Sequence, residues 1–429
     1  MNLKTWYKRR GANFIIQRGM NLLKRYRLGS DKAVRRIQDC LKGLADLGCL
    51  PTFFTPAFLL QRNPAFIRLL QEAGAEIAVH GYHHINLGDL SASDASCQLL
   101  RAVRSFERYG IEARGFRYPY LGYKDEFLAA LPDGLFDYSS NQTIYWGVDK
   151  EEYGHQHKNI LFNTLDVFYN AKDSSQKLCL PWMRSNMVEI PVCVPDDIQL
   201  YDGLRLDSSG IANAWAQILQ QTYLRGEIFT LIFHTELADC CDSPFGELIR
   251  RARQYRPGVW IARLREISDW WREKANFKVE ITPVATGLRL HFTCTPHATI
   301  LARGLDSIGA MPVWYKAYHR LQSNVLEVST NSRPFVGLGP NAPERTVSFL
   351  REQGYILDTG ETARSCGIYL DNAVLMKQAD EVELTNFIES SPAPLVRFWP
   401  WPDGAKSALS FTGDLDALSL MDYASRLFV

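Results

Sequence analysis

A short apolar run near the end of the sequence, Ala408-Leu409-Ser410-Phe411, leads through Thr412 and Gly413 into two carboxylates two residues apart, Asp414 and Asp416. A buried strand that ends in acids needs a site to serve, and the run offers none of its own. The complement lies at the far end of the sequence, where a strand read at Glu76–Val79 runs into His80-Gly81-Tyr82-His83-His84. Two His four apart plus one Asp is a common way to hold a catalytic divalent metal with an open coordination position. The expectation is that the end of the chain returns to complete a site whose other parts lie in residues 75–240.

The intervening sequence has the rhythm for it. Residues 31–48 read as a helix with Val34, Ile37, Leu41, Leu44 and Leu47 on one face, and Pro51–Phe54 as a short buried strand. A helix starting at Asn63-Pro64 precedes the strand Glu76–Val79, and a further helix, about 94–108, leads to Gly115-Phe116-Arg117-Tyr118-Pro119-Tyr120. Gly134–Ser140 and Glu189–Asp197 are further candidate strand ends. Helix 211–225 precedes Ile228-Phe229-Thr230-Leu231-Ile232-Phe233, the most apolar strand, which terminates in His234, and helix 261–274 closes this part. Alternating helices and strands with short links predict a parallel α/β sheet or barrel. Near Phe277 the pattern changes: 277–282 and 288–293 alternate in period two, which predicts a half-exposed antiparallel sheet. A helix at 343–353, a strand at 354–357 and a linker at Ser390–Pro394 complete the expected division into a barrel at 1–276, a smaller α+β domain at 277–400, and a strand at 401–429 that returns to the barrel.

Strand ends are where such barrels gather their chemistry. His80 and His84 can converge on one ion if the intervening residues turn, while His83 would point elsewhere. Arg117, at a strand end, can anchor a carboxylate, and Pro119 and Tyr120 after it can wall a cleft. Trp182, between Pro181 and Met183, reads equally as a pocket wall or a core residue. His234, at the mouth of a buried strand, is a general acid or base candidate. His155 and His157 read as exposed loop residues, and His291, His297 and His319 show no ligand spacing.

Composition limits the partners. With 429 residues and 46% hydrophobic content the chain can bury a large core plus an appended domain, and its net charge of +1 predicts no general affinity for nucleic acid. Residues 1–36 depart from that balance, with eleven Lys or Arg against one Asp and apolar residues interleaved. A helical face docked on the domain explains this, and a peripheral contact with anionic lipid is the sharper alternative. Nine Cys without CxxC spacing, no secretion signal and no apolar run long enough to span a bilayer lead to the expectation of a cytoplasmic protein, peripheral at the inner face of the membrane if the basic stretch binds there.

Collected, these residues resemble the polysaccharide deacetylase family, the NodB-homology or carbohydrate esterase family four enzymes. The family's His-x-x-x-His motif is similar to His80–His84, its Arg-x-Pro-Tyr motif to Arg117-Tyr118-Pro119-Tyr120, and its Leu-x-His strand end to Leu231–His234 with an altered spacing. Its first motif, usually Thr-Phe-Asp-Asp near the N-terminus, is missing there, and its Asp-x-Asp variant resembles Asp414-Leu415-Asp416, so the order looks circularly permuted. Gly81 stands where Ser or Thr is usual and Ile85 where Pro is frequent. Asp137 and Asp197 are both candidates for the acid that orients the catalytic His. Residues 401–429 either fold back, onto this barrel or onto that of another subunit, or begin a second domain.

The resemblance implies an irregular (β/α) barrel and metal-assisted removal of an acetyl group from an N- or O-acetylated sugar. Asp416, His80 and His84 would hold a divalent ion, most often zinc in that family. Asp414 would act as base, Arg117 would pair with it, His234 would protonate the leaving group, and Tyr120, Pro119 and Trp182 would face the sugar. Two other functions fit the same residues: an amide hydrolase on a small nitrogenous metabolite, and a non-catalytic carbohydrate-binding protein.

Overall fold

The computed structural model describes residues 26–426 apart from 123, 149–170, 310, 330–331 and 379. Most of the basic N-terminal stretch, together with His155 and His157, lies outside the described residues. The first helix among the described residues, α1 (Asp31–Asp46), buries Ile37, Leu41 and Leu44, which share one face at helical spacing.

The central sheet is built from β1 (Thr52–Thr55), β2 (Glu76–Val79), β3 (Gly115–Phe116), β4 (Tyr138–Ser139), β5 (Trp182–Arg184), β6 (Met187–Glu189), β7 (Ile228–His234), β8 (Val259–Ile261) and β9 (Ser407–Asp414). Its nine strands follow the order β7-β9-β1-β2-β3-β4-β6-β5, with β8 pairing β9 off this path. All neighbours are parallel except the β5–β6 hairpin. A curled, open sheet of this kind is an irregular half-barrel, and helices such as Ala92–Arg108, Ser208–Arg225 and Ala238–Gln254 cover it. The last strand in sequence is internal in space. All eight residues of β9 are buried, as expected of a strand with neighbours on both sides and cover on both faces.

Parallel pairing aligns the C-terminal ends. His80 N donates to Thr55 O at 3.0 Å, Arg117 N to Val79 O at 2.9 Å, Ser140 N to Phe116 O at 3.0 Å and Leu415 N to Phe54 O at 2.9 Å. The residues that follow β9, β1, β2 and β3 therefore emerge on one rim, the rim where Asp414, His80 and Arg117 stand.

Residues 278–398 form three smaller sheets. Lys278–Val284, Gly287–Thr293 and Val325–Val328 make an antiparallel sheet with the expected alternation of exposed and covered positions. A second antiparallel sheet joins Val313–Tyr315, Tyr318–Arg320, Ile300–Arg303 and Leu395–Phe398. The third is parallel, with Arg333–Leu338 between Leu357–Asp358 and Cys366–Leu370. Here the observed elements differ from the expected ones: the strand read at 354–357 begins only at Leu357, and the helix read at 261–274 is the end of β8 followed by the helix Leu264–Lys274. One hydrophobic cluster gathers residues 33–271 with Trp401 and 408–418, and two others lie within 288–398. Trp401 joins the large cluster through its indole, which donates to Gly226 O at 2.7 Å.

Candidate metal centre

β9 ends where β1, β2 and β7 end, so its two acids meet the His-rich turn. Asp414 is in register with Phe54 on one side and His234 on the other. Along an extended strand alternate residues face the same side, and Asp416 thereby follows Asp414 into the same cleft. The turn after β2 is possible because Gly81 has φ +75°, and a Cβ there would lie 3.1 Å from His83 O. That is a physical reason for Gly at a position where Ser or Thr is usual in the family that the motifs resemble.

His80, His84 and Asp416 offer three ligand atoms that all lie within 4.8 Å of one another. His84 Nε2 is 2.9 Å and His80 Nε2 3.8 Å from Asp416 Oδ1, and His80 Nε2 is 3.9 Å from Asp414 Oδ2. Groups bound to one ion at about 2.1 Å stand roughly 3 to 3.5 Å apart, so the cluster has the spread of a ligand set. Asp416 Oδ1 is also buried, and it faces His84 Nε2 at 2.9 Å rather than a backbone or hydroxyl donor. Two imidazoles and one carboxylate fit a divalent cation with N/O ligation. Both rings are buried, and burial lowers the pKa of each, that of His84 to about 4, against the opposing pull of the nearby acids. Neutral imidazoles are the form that binds metal.

Arg117 is fully buried, and each of its three guanidinium nitrogens has an acceptor. It donates to Asp414 Oδ1 at 2.6 Å, Thr412 Oγ1 at 3.1 Å, Ser140 O at 3.0 Å and Ser140 Oγ at 3.0 Å, with its guanidinium 4.0 Å from the Phe54 ring centre. One oxygen of Asp414 is thereby fixed, and the other faces His80. Across β9, Asp197 accepts from His234 N at 2.6 Å and stands 2.7 Å from His234 Nδ1. Burial works to lower the His234 pKa, but the Asp197 carboxylate outweighs it and raises it well above the ordinary value. Asp196, Asp197 and His234 form a second group that could hold an ion, yet both Asp197 oxygens are engaged by His234, which suits an oriented imidazole better than a ligand set. Asp196 caps the next turn through Gln199 N at 2.8 Å, and burial lifts its carboxyl to about 7.

Of the two acids left open by the sequence, Asp197 meets His234, whereas Asp137 pairs with Arg114 at 2.7 Å. Tyr120 lies beside the cluster with its ring 4.7 Å from that of His84 and φ +59°, and Pro119 packs within 3.5 Å of where a Gly81 Cβ would be. Trp182 has its contact elsewhere: its ring carries Lys177 Nζ at 4.7 Å, and Lys177 pairs with Glu381. His83 turns away and stacks on Phe58 at 5.3 Å. Sequence reasoning missed Arg426, whose NH1 donates to His84 Nδ1 at 2.9 Å. Nothing in its surroundings in the sequence marks it.

Residues 30–134 match the family model for polysaccharide deacetylase, a span that takes in His80, His84, Arg117, Pro119 and Tyr120 and stops before His234 and the terminal acids. No curated protein is similar to the chain at a significant level. Among solved structures, one from Mycobacterium smegmatis described as a polysaccharide deacetylase is 22% identical, with a TM-score of 0.44 over 56% of this chain and 77% of that one. Another, from Pseudomonas aeruginosa and described in the same way, is 19% identical, with a TM-score of 0.44 over 57% and 75%. The allantoinase PuuE is 18% identical, with a TM-score of 0.43 over 56% and 72%. Residues 30–134 are thus similar to the polysaccharide deacetylase family, and the motifs within that span stand at the rim of the half-barrel.

Proposed function

We propose that this chain is a metal-dependent hydrolase that removes an acetyl group from an N- or O-acetylated sugar or polysaccharide. The observation that carries the reading is the meeting of Asp414 and Asp416, from the end of the chain, with His80, His84 and Arg117 from its beginning and His234 from its middle. His80, His84 and Asp416 would hold the ion, with zinc the first choice for two imidazoles and a carboxylate. When bound, such an ion supplies an acidified water and a counter-charge for the oxyanion.

Asp414 takes the proton from the attacking water through Oδ2, the oxygen that Arg117 leaves free. Arg117 fixes the direction of that carboxylate, a positioning task that its four hydrogen bonds suit. His234, held protonated by Asp197, delivers a proton to the leaving amine or hydroxyl. Tyr120 offers a flat face to the sugar ring. As part of the same proposal, residues 277–400 are an accessory domain and the protein works in the cytoplasm, where cell fractionation would place it.

The test is zinc content and acetate release from a panel of N- and O-acetylated sugars, comparing the full chain with Asp416→Ala. The proposal expects both to vanish in the variant. Retention of metal and activity by Asp416→Ala sinks it, and so does absence of both from the parent protein.

A further inference from the structure

His80 and His84 face the same acid, but their rings are held in opposite ways. His80 Nδ1 lies 2.9 Å from Arg117 O. A carbonyl can only accept, so His80 carries its hydrogen on Nδ1 and presents a lone pair at Nε2. His84 Nδ1 lies 2.9 Å from Arg426 NH1. A guanidinium can only donate, so the Nδ1 lone pair of His84 is taken and the neutral ring carries its hydrogen on Nε2, the nitrogen that faces Asp416. An N–H cannot ligate an ion. Shifting that hydrogen to Nδ1 would set N–H against N–H at the Arg426 contact.

Arg426 is well anchored in this place. It follows the helix Leu420–Ser425, which a capping box of Ser419 and Asp422 starts and which is tied to the barrel by Leu420 N donating to Arg27 O at 2.8 Å and by the Arg62–Asp422 pair at 2.8 Å. Its NH2 donates to Asp416 O at 2.9 Å, its NH1 approaches Tyr120 Oη at 3.4 Å, and its guanidinium covers the Tyr423 ring at 4.1 Å. Its Nε, by contrast, is buried without a partner, so this seat leaves the group incompletely satisfied.

We propose that Arg426 is a latch on the candidate metal centre: it holds His84 in the tautomer that cannot ligate, and a divalent cation enters only when Arg426 leaves His84. The inference rests on the metal-centre reading above. Departure of Arg426 also frees the Tyr120 hydroxyl, so loading the ion and opening the sugar face are one event.

The test uses the metal-stripped full chain, with zinc alone as probe and a chromophoric chelator as competitor. Arg426→Met keeps the apolar stem and removes the donors, and Arg426→Ala serves as a second variant with thermal melts as the check on folding. Both should bind zinc about tenfold or more tighter than the parent, the size expected for removing a charge-assisted hydrogen bond that loading must break. In the metal-free parent, long-range 1H-15N spectra of labelled His should show His84 protonated on Nε2, moving to Nδ1 when zinc is added, and zinc should quicken tryptic cleavage after Arg426. Equal or weaker binding by both variants overturns the latch, as does an Nδ1-protonated His84 in the metal-free parent. If parent and variants alike fail to bind zinc, or if His84→Ala binds as well as the parent, the metal-centre reading fails with it.

Discussion

Arg117 carries more of the site than any other single residue, because it joins the strand end after β3 to Asp414 at the end of β9 through a buried ion pair. Removing one partner of a buried ion pair leaves the other charge uncompensated, which typically costs about 3 to 5 kcal/mol. Arg117→Met should therefore lower unfolding stability by about that amount and abolish turnover, and a loss below about 1 kcal/mol in urea melts would show that Asp414 finds other partners. At His234 the expectation concerns pH. Its folded pKa is raised, chiefly by Asp197 against the pull of burial, so the pair stabilises the fold fully below the ordinary His value and loses that contribution as pH rises through the raised one. Asp197→Asn should move the alkaline limb of kcat/KM to lower pH and flatten the loss of stability over the same interval. An unmoved limb would remove His234 from the proton path. The residues legible in the sequence were those one or two positions past an apolar run, since burial and strand length mark such ends. Choosing between Asp137 and Asp197 required knowing which acid faces the rim, and Arg426 is placed by a tertiary contact that no local pattern encodes.

Among the elements, β9 decides whether there is a barrel at all, because it separates β7 from β1 and hydrogen-bonds to both along with β8. Its closest fit is at Gly413, where a Cβ would come within 2.5 Å of the Phe53 ring and 2.9 Å of the Phe233 ring. Overpacking of this kind costs about 1 to 3 kcal/mol. Gly413→Ala should show that loss in thermal melts, accompanied by weaker zinc binding because Asp414 and Asp416 follow directly, and a variant as stable as the parent would mean that β9 is not clamped between its neighbours. Reading β9 from its sequence was possible because a fully buried parallel strand is a continuous apolar run, and reading 278–293 was possible because a sheet covered on one face alternates. The parallel strands Arg333–Leu338 and Cys366–Leu370 escaped. Gly337 and Gly367 interrupt their apolar pattern, and nothing local tells a short buried strand from a buried helical turn.

For the whole molecule, the order β7-β9-β1 means that the strand beside β1 is delivered last, after the chain has built four other sheets. The two ends that this brings together are close: Leu420 N donates to Arg27 O at 2.8 Å and the Tyr26 and Tyr423 rings are 5.8 Å apart. Permutation is tolerated where termini meet on a surface, so a reordered chain running 401–426, a short Gly/Ser link and then 26–275 should fold as the barrel without 277–400. It gives up specific contacts, among them Met183 N donating to Glu352 Oε1 at 3.3 Å and the Lys177–Glu381 pair, and it exposes Lys274, whose pKa burial now lowers to about 7. A lower melting temperature than the parent is therefore expected, with a single cooperative transition and with zinc binding that still requires Asp416. A reordered chain that binds zinc regardless of Asp416 would separate the terminal acids from the metal centre. One that stays unfolded under conditions where the parent folds would give residues 277–400 a part in holding the barrel together, beyond carrying β9 back to its place.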